Sequence, residues 1–228
     1  MDDDLLPLLQ LCDSNLPNGA FSHSFGLETY IQEEKVIDKS TFAEWIRVYI
    51  EEQLVYTDGL VFRLVYDALA REQWDEVWTW DRMITVQNFS QEAREGNVRM
   101  GQRLVQLGLE LYDSPALAAY QDRVKAQRSF GHPAIAFAII TQHLHIPLPI
   151  ALLSFLYSST ASLIQNGVRG IPLGQTDGQR LIQEAQIPLR QAAKRIEELD
   201  KNQFGITSPG LELSQMRHER LHIRLFMS

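Results

Sequence analysis

Apolar positions recur at intervals of three and four through most of the chain, and no run sustains the every-second-residue alternation of a half-buried strand. Phe42, Trp45, Ile46, Tyr49, Ile50 and Leu54 share one helical face, with Thr41 placed to cap that helix and Glu44 as its reciprocal partner. Asp58 is placed to cap a second helix, whose stripe is Val61, Leu64, Val65, Ala68 and Leu69. A third helix is expected around Asp75–Val86, and a fourth from about Ser90 to Tyr112 with Ala93, Met100, Leu104, Leu107 and Leu111 on one face. Gly101 and Gly108 lie near that face. Each costs a helix about 1 kcal/mol relative to alanine, which points to close helix–helix approach. Ser114-Pro115 reads as cap and first turn of a fifth helix.

Residues 129–168 hold no Asp, Glu, Lys or Arg. Pro147 and Pro149 divide them into Pro133–His145 and Ile150–Gln165, each shorter than the roughly 20 apolar residues of a membrane span. The expectation is the buried central helix pair of a bundle. Beyond it, Asn166–Gly178 reads as a Gly-rich connector in which Gly170, Gly174 and Gly178 permit turns with positive φ. A helix follows over Gln179–Gln186, Pro188 breaks it or starts the next, Lys201–Gly210 is a loop, and Leu211–Ser228 is a weakly periodic tail. The fold class is all-α: a single-domain bundle of about eight to ten helices over residues 1–228, with binding segments at its two ends, a leader (1–28) and a tail (211–228).

Composition sharpens this. The net charge of −8 argues against nucleic-acid binding, and 45% hydrophobic residues supply a sizeable core. Residues 1–58 carry twelve acidic against three basic side chains, whereas the tail sets Arg217, Arg220 and Arg224 against Glu219, an asymmetry suited to steering different partners. A single cysteine, Cys12, allows no internal disulfide and reads as a small core hydrophobe. The acidic start is unlike a signal peptide, so the expected location is the cytoplasm, with no membrane span.

Catalytic patterns are hard to find. Gly170, Gly174 and Gly178 lack the Lys and the preceding strand of a phosphate-binding loop. His143 and His145 point to different helix faces, and His23 and His132 stand isolated. His218 and His222 would share a face if the tail were helical, but with arginines rather than carboxylates beside them. No catalytic, cofactor or metal residue is assigned.

Two features exceed what a plain bundle needs: the leader from Leu16-Pro17 through Phe21 to Gly26-Leu27-Glu28, and a tail that sets Arg beside Leu and Phe, an interface composition. With Ala93–Gly96 through Arg99–Gly101, Phe130–Pro133, and Val168–Arg180, they make five segments that in order and spacing resemble the urease accessory protein UreF family. Asn18 and Ala20 stand where many members carry other small residues.

That resemblance implies an all-α, non-enzymatic maturation factor. It would join a UreD (UreH)-type scaffold and the GTPase UreG on apo-urease to support nickel insertion, with possible homodimerisation. Nickel and GTP would be handled by the partner complex, with no cofactor held stably here. The alternatives are a nickel-binding metallochaperone or a cofactor-free enzyme. The partner-binding residues it implies are Phe21 and Glu28 in the leader, and Arg217, His218, Arg220, Leu221, Arg224, Leu225 and Phe226 in the tail. Arg169, Gln175, Asp177, Gln179 and Arg180 are placed at a GTPase-facing or dimer surface.

Overall fold

A computed structural model describes residues 5–228; the first four residues of the expected leader lie outside the described residues. Among the described residues there is no strand. The helices run α1 (Leu5–Leu11), α2 (Leu27–Gln32), α3 (Lys39–Val48), α4 (Leu60–Ala70), α5 (Trp74–Val86), α6 (Gln91–Leu111), α7 (Pro115–Lys125), α8 (Pro133–His143), α9 (Leu148–Gly170), α10 (Gln175–Glu198) and α11 (Pro209–His218). The chain is an all-α bundle around one contiguous hydrophobic core.

α8 lies at the centre, with α4, α6, α7 and α9 packed around it. His132 caps it through Nδ1, which accepts from the Ala134 amide, Pro133 occupies the first turn, and Ala134–Thr141 are all buried. Phe62 of α4 stacks on Phe155 of α9 at 5.1 Å between ring centres, with Phe137 of α8 edge-on at 5.6 Å. The expected close approach occurs at both Gly101 and Gly108 of α6. A Cβ at Gly101 would lie 1.8 Å from the Gly131 carbonyl oxygen, and one at Gly108 would lie 2.6 Å from Leu117. The turn before α8 is tied by Asp81, which accepts from the Phe130 amide (2.7 Å), the His132 amide (3.3 Å) and the Tyr120 hydroxyl (2.5 Å).

Several element boundaries depart from the pattern-based expectation. Asp38, not Thr41, caps α3; Thr41 is its reciprocal partner, because the capping box begins one turn earlier. Asp58 caps nothing. α3 and α4 join through a π-helical stretch, Tyr49–Gly59, and Asp58 sits inside it. Gly59 lets this wide segment meet α10, where a Cβ would fall 2.5 Å from Ile196. On α6 the small residues Ala93, Gly96, Gly101 and Gly108 are buried with Leu104 and Val105, while Leu111 is exposed and Met100 and Leu107 are half-buried.

α9 spans 23 residues, long and apolar enough by length and composition to cross a membrane, so the expected shortness of this segment is corrected. Pro149 sits harmlessly in its first turn, and the helix continues through Asn166–Gly170 because Gly167 fits against Phe42. One side of α9 enters the core; the other keeps Leu153 and Ser158 half-buried and Tyr157 exposed, so of the expected central pair only α8 is buried on all sides, over Ala134–Thr141.

The connector shrinks to residues 171–174, and none of Gly170, Gly174 and Gly178 has a positive φ. Gly178 instead meets Val168, letting α10 pack closely on α9. Pro188 neither breaks nor starts a helix. α10 runs through it, because Leu181, Ala185, Leu189, Ala192 and Ile196 keep one buried stripe across the lost hydrogen bond. Cys12 is half-buried against the core, donating to the Ser154 carbonyl, and burial pushes its thiol up to about 11.

Candidate partner interface at the joined ends of the chain

The leader is fastened by the end of α9. Asn166 Nδ2 donates to the carbonyls of Ala20 (2.9 Å) and His23 (2.8 Å), and Arg169 donates to that of Phe21 (2.6 Å). Gly26 has φ +93° and touches α11; a Cβ there would lie 2.4 Å from Ser214 Oγ, so only glycine fits on both counts. The turn delivers Glu28 into α2 as a buried carboxylate.

α11 and residues 219–228 close over this leader through polar contacts. Thr29 donates to the Ser214 carbonyl (2.8 Å), Gln215 to that of Phe25 (3.3 Å), and the Gln91 amide to Glu219 (3.0 Å). His218, with 0% exposure, lies between two carboxylates: Nε2 is 2.9 Å from Glu28 and Nδ1 is 2.8 Å from Glu92. Arg224 reaches Glu92 at 2.5 Å. Glu28 also accepts from the Leu225 amide (2.5 Å) and the Phe226 amide (3.1 Å). Phe226 is buried, with the Arg169 guanidinium 5.1 Å from its ring centre. The Ser24 and Phe25 amides donate to the Ser228 carbonyl, and the Met227 amide to that of Ser22.

The structure therefore gathers Phe21, Glu28, Arg169, His218, Arg224, Leu225 and Phe226 at one place. Arg217 pairs with Glu33 at 3.1 Å, Leu221 is half-buried, and Arg220 is exposed. Anchoring groups face inward, while Phe21 (65% exposed), Ile223 (81%), Leu225 (52%) and Met227 (56%) face outward. Such a row of apolar side chains around a polar anchor is what a docking surface requires. Gln175, Asp177, Gln179 and Arg180 fall elsewhere, on the first turns of α10; Asp177 pairs with Arg180 at 3.1 Å and the other two are exposed.

Three expectations change. α11 ends at His218, so His222 does not share its face. His218 does have acidic neighbours. And the basic tail spends Arg217 and Arg224 on this chain's own Glu33 and Glu92. Local pattern does not mark Glu92, and it shows Glu219 only as the acidic charge among the tail arginines. Both lie more than 100 residues from the groups they bind, and only the nearby Ala93–Gly96 segment hinted at the region.

His23 and His132 are not isolated. Both line a cavity of about 110 Å³ with Tyr49, Gln53, Asp58 and Gln215. Burial, then Arg99 and His218, push the His23 ring down to about 4, and its Nδ1 lies 2.8 Å from the Ser228 hydroxyl. Burial also lowers His132, against the pull of Asp58 and Asp81. Among the described residues no group of three or more His, Cys, Asp or Glu is arranged to hold a metal ion.

Comparison with known proteins places the chain in a family. A family model described as UreF matches residues 36–186. The chain is 54% identical over 228 residues to a protein of Lachnoclostridium phytofermentans named urease accessory protein UreF, covering 100% of both chains. A protein of the same name from Bacillus sp. (strain TB-90) is 48% identical over 224 residues, 98% of this chain and 99% of that one. The family match covers well over half the chain and both relatives align almost end to end, so the chain belongs to the UreF family of urease accessory proteins.

Proposed function

We propose that the chain is a non-catalytic adaptor in urease maturation, joining a UreD (UreH)-type scaffold and the GTPase UreG on apo-urease so that nickel reaches the urease active site. It works in the cytoplasm, as a homodimer within the complex, and holds neither nickel nor nucleotide stably itself. Family membership supports the maturation role. The observation that carries the adaptor reading is the outward row of Phe21, Ile223, Leu225 and Met227, fixed in place by a tail whose inner face is already satisfied. Apolar side chains held rigidly outward cost little further ordering entropy when a partner covers them.

The scaffold is assigned to this surface. Ile223→Asp with Leu225→Asp is expected to abolish co-purification of the UreD-type partner while circular dichroism stays unchanged; retained co-purification would sink the assignment. The GTPase is assigned to the opening turns of α10, where Gln175, Gln179 and Arg180 stand exposed. Gln175→Ala with Asp177→Ala should reduce UreG recruitment by the preformed complex, and unchanged recruitment would leave that stretch a purely structural helix start. Tight nickel retention by the isolated chain in equilibrium dialysis would instead favour a metallochaperone.

A further inference from the structure

His218 is the last residue of α11, where the helix dipole favours a cation. Both its ring nitrogens sit at hydrogen-bond distance from carboxylate oxygens. A neutral imidazole has one N–H and one lone pair, and an ionised carboxylate has only lone pairs, so a neutral ring satisfies one of these contacts and sets lone pair against lone pair at the other. Only the doubly protonated ring donates to both.

The surrounding charges give the same result. α2 contributes Glu28 and α6 contributes Glu92; the tail contributes Arg224, bound to Glu92. Glu219 accepts from the Gln91 amide and hydroxyl of Ser90 nearby, and Arg217 faces Glu33 on the outer side. On the leader side His23 is uncharged at neutral pH. Two inner carboxylates thus face one arginine and His218, which balance only when the ring is charged. Glu28 also holds the Leu225 and Phe226 amides, so the ring and the tail backbone share one anchor.

We propose that His218 is a proton-linked latch: the tail seats on the body with this ring doubly protonated, and loosens when the ring gives up its second proton.

The sign follows from linkage. The seated state binds one proton more than a state with a neutral ring, so seating weakens as pH rises. On the acid side the support comes from the carboxylates. Burial works to raise the Glu92 carboxyl, but hydrogen bonds from His218 and Arg224 outweigh it and hold it below the usual carboxylate range. That contribution is fully present above the ordinary carboxylate range and is lost as pH falls through the lowered value. The tail is therefore seated within a window and released on both sides, carrying the outward face of Ile223, Leu225 and Met227 with it. The latch stands on this geometry whether or not the scaffold binds there.

Pulsed hydrogen exchange on the intact chain between pH 6 and 9, corrected for intrinsic rates, reads tail seating from the Leu225 and Phe226 amides. Protection there is expected to be lost on the alkaline side while the α8 amides hold steady. Nitrogen-15 spectra at pH 6 should show two ring N–H groups on His218. Glu92→Gln is the discriminating variant, because its oxygen can accept from Arg224 while its NH2 donates to a neutral ring; its tail should stay protected at pH 9. A single ring N–H at pH 6, flat wild-type protection, or a Glu92→Gln tail as pH-sensitive as wild type would each overturn the latch.

Discussion

Asp81 is a carboxylate with no exposure, held by three donors, of which the Tyr120 hydroxyl is one. Burial, then the charge of Asp81, push that hydroxyl well above the usual tyrosine range, so it stays a donor. Removing the acceptor strands the Phe130 amide and the Tyr120 hydroxyl, while the His132 amide keeps the Tyr120 oxygen as acceptor. Asp81→Ala is expected to cost about 2–6 kcal/mol, read as a lowered urea midpoint, whereas Asp81→Asn, which keeps one acceptor oxygen, should cost less. Equal losses for the two would show that the retained volume and single oxygen of Asn count for little beside the carboxylate's charge and second oxygen. Nothing in the sequence marked Asp81, since its partners lie 39 to 51 residues away and acidic residues are seldom buried. Glu28 was legible only because it closes a recognisable leader motif. Asp58 shows the opposite error: a sound local reading as a cap fails where the helix does not start.

At the level of elements, amphipathic period finds α3 to α6, the uncharged run 129–168 marks α8 and α9, and capping chemistry places α7 correctly through Ser114. Punctuation holds at Pro115 and Pro147 but fails at Gly170, Gly174, Gly178 and Pro188, because glycine serves equally for turns and for close contact. At Gly101 the contact decides. Gly101→Ala drives a methyl onto the Gly131 carbonyl, forcing α6 off the turn that launches α8, and should destabilise by about 2 kcal/mol or more in denaturant melts despite alanine's better helix propensity. A neutral or stabilising result would mean that α6 and that turn can separate freely. Pro188 tests the other half of the argument. If packing carries α10 through a missing hydrogen bond, Pro188→Ala restores the bond to the Glu184 carbonyl and should raise stability by about 1 kcal/mol or more. A lower melting temperature would show that the ring is needed where it sits.

At the scale of the whole molecule, the two ends of the chain form one surface, and sequence periodicity has no means of showing it. The tail beyond His218 has no helix and buries Phe226 and Ser228 alone. Its hold is local to the leader, Glu92 and the end of α9, where Phe226 lies under Arg169. The core around α8 touches none of it, so the bundle should fold without it. Deleting residues 219–228 removes the buried Phe226 side chain, worth about 2 kcal/mol, and the Arg224–Glu92 pair, and leaves Glu28 without its two amide donors. Helicity by circular dichroism should be preserved within a few per cent, with one cooperative transition. For a chain of this size, about 2–3 kcal/mol corresponds to a fall of roughly 4–12 °C in melting temperature. An unchanged melting temperature would mean that the tail is not seated in the free chain. A collapse in helicity would mean that the ends, rather than α8, organise the bundle.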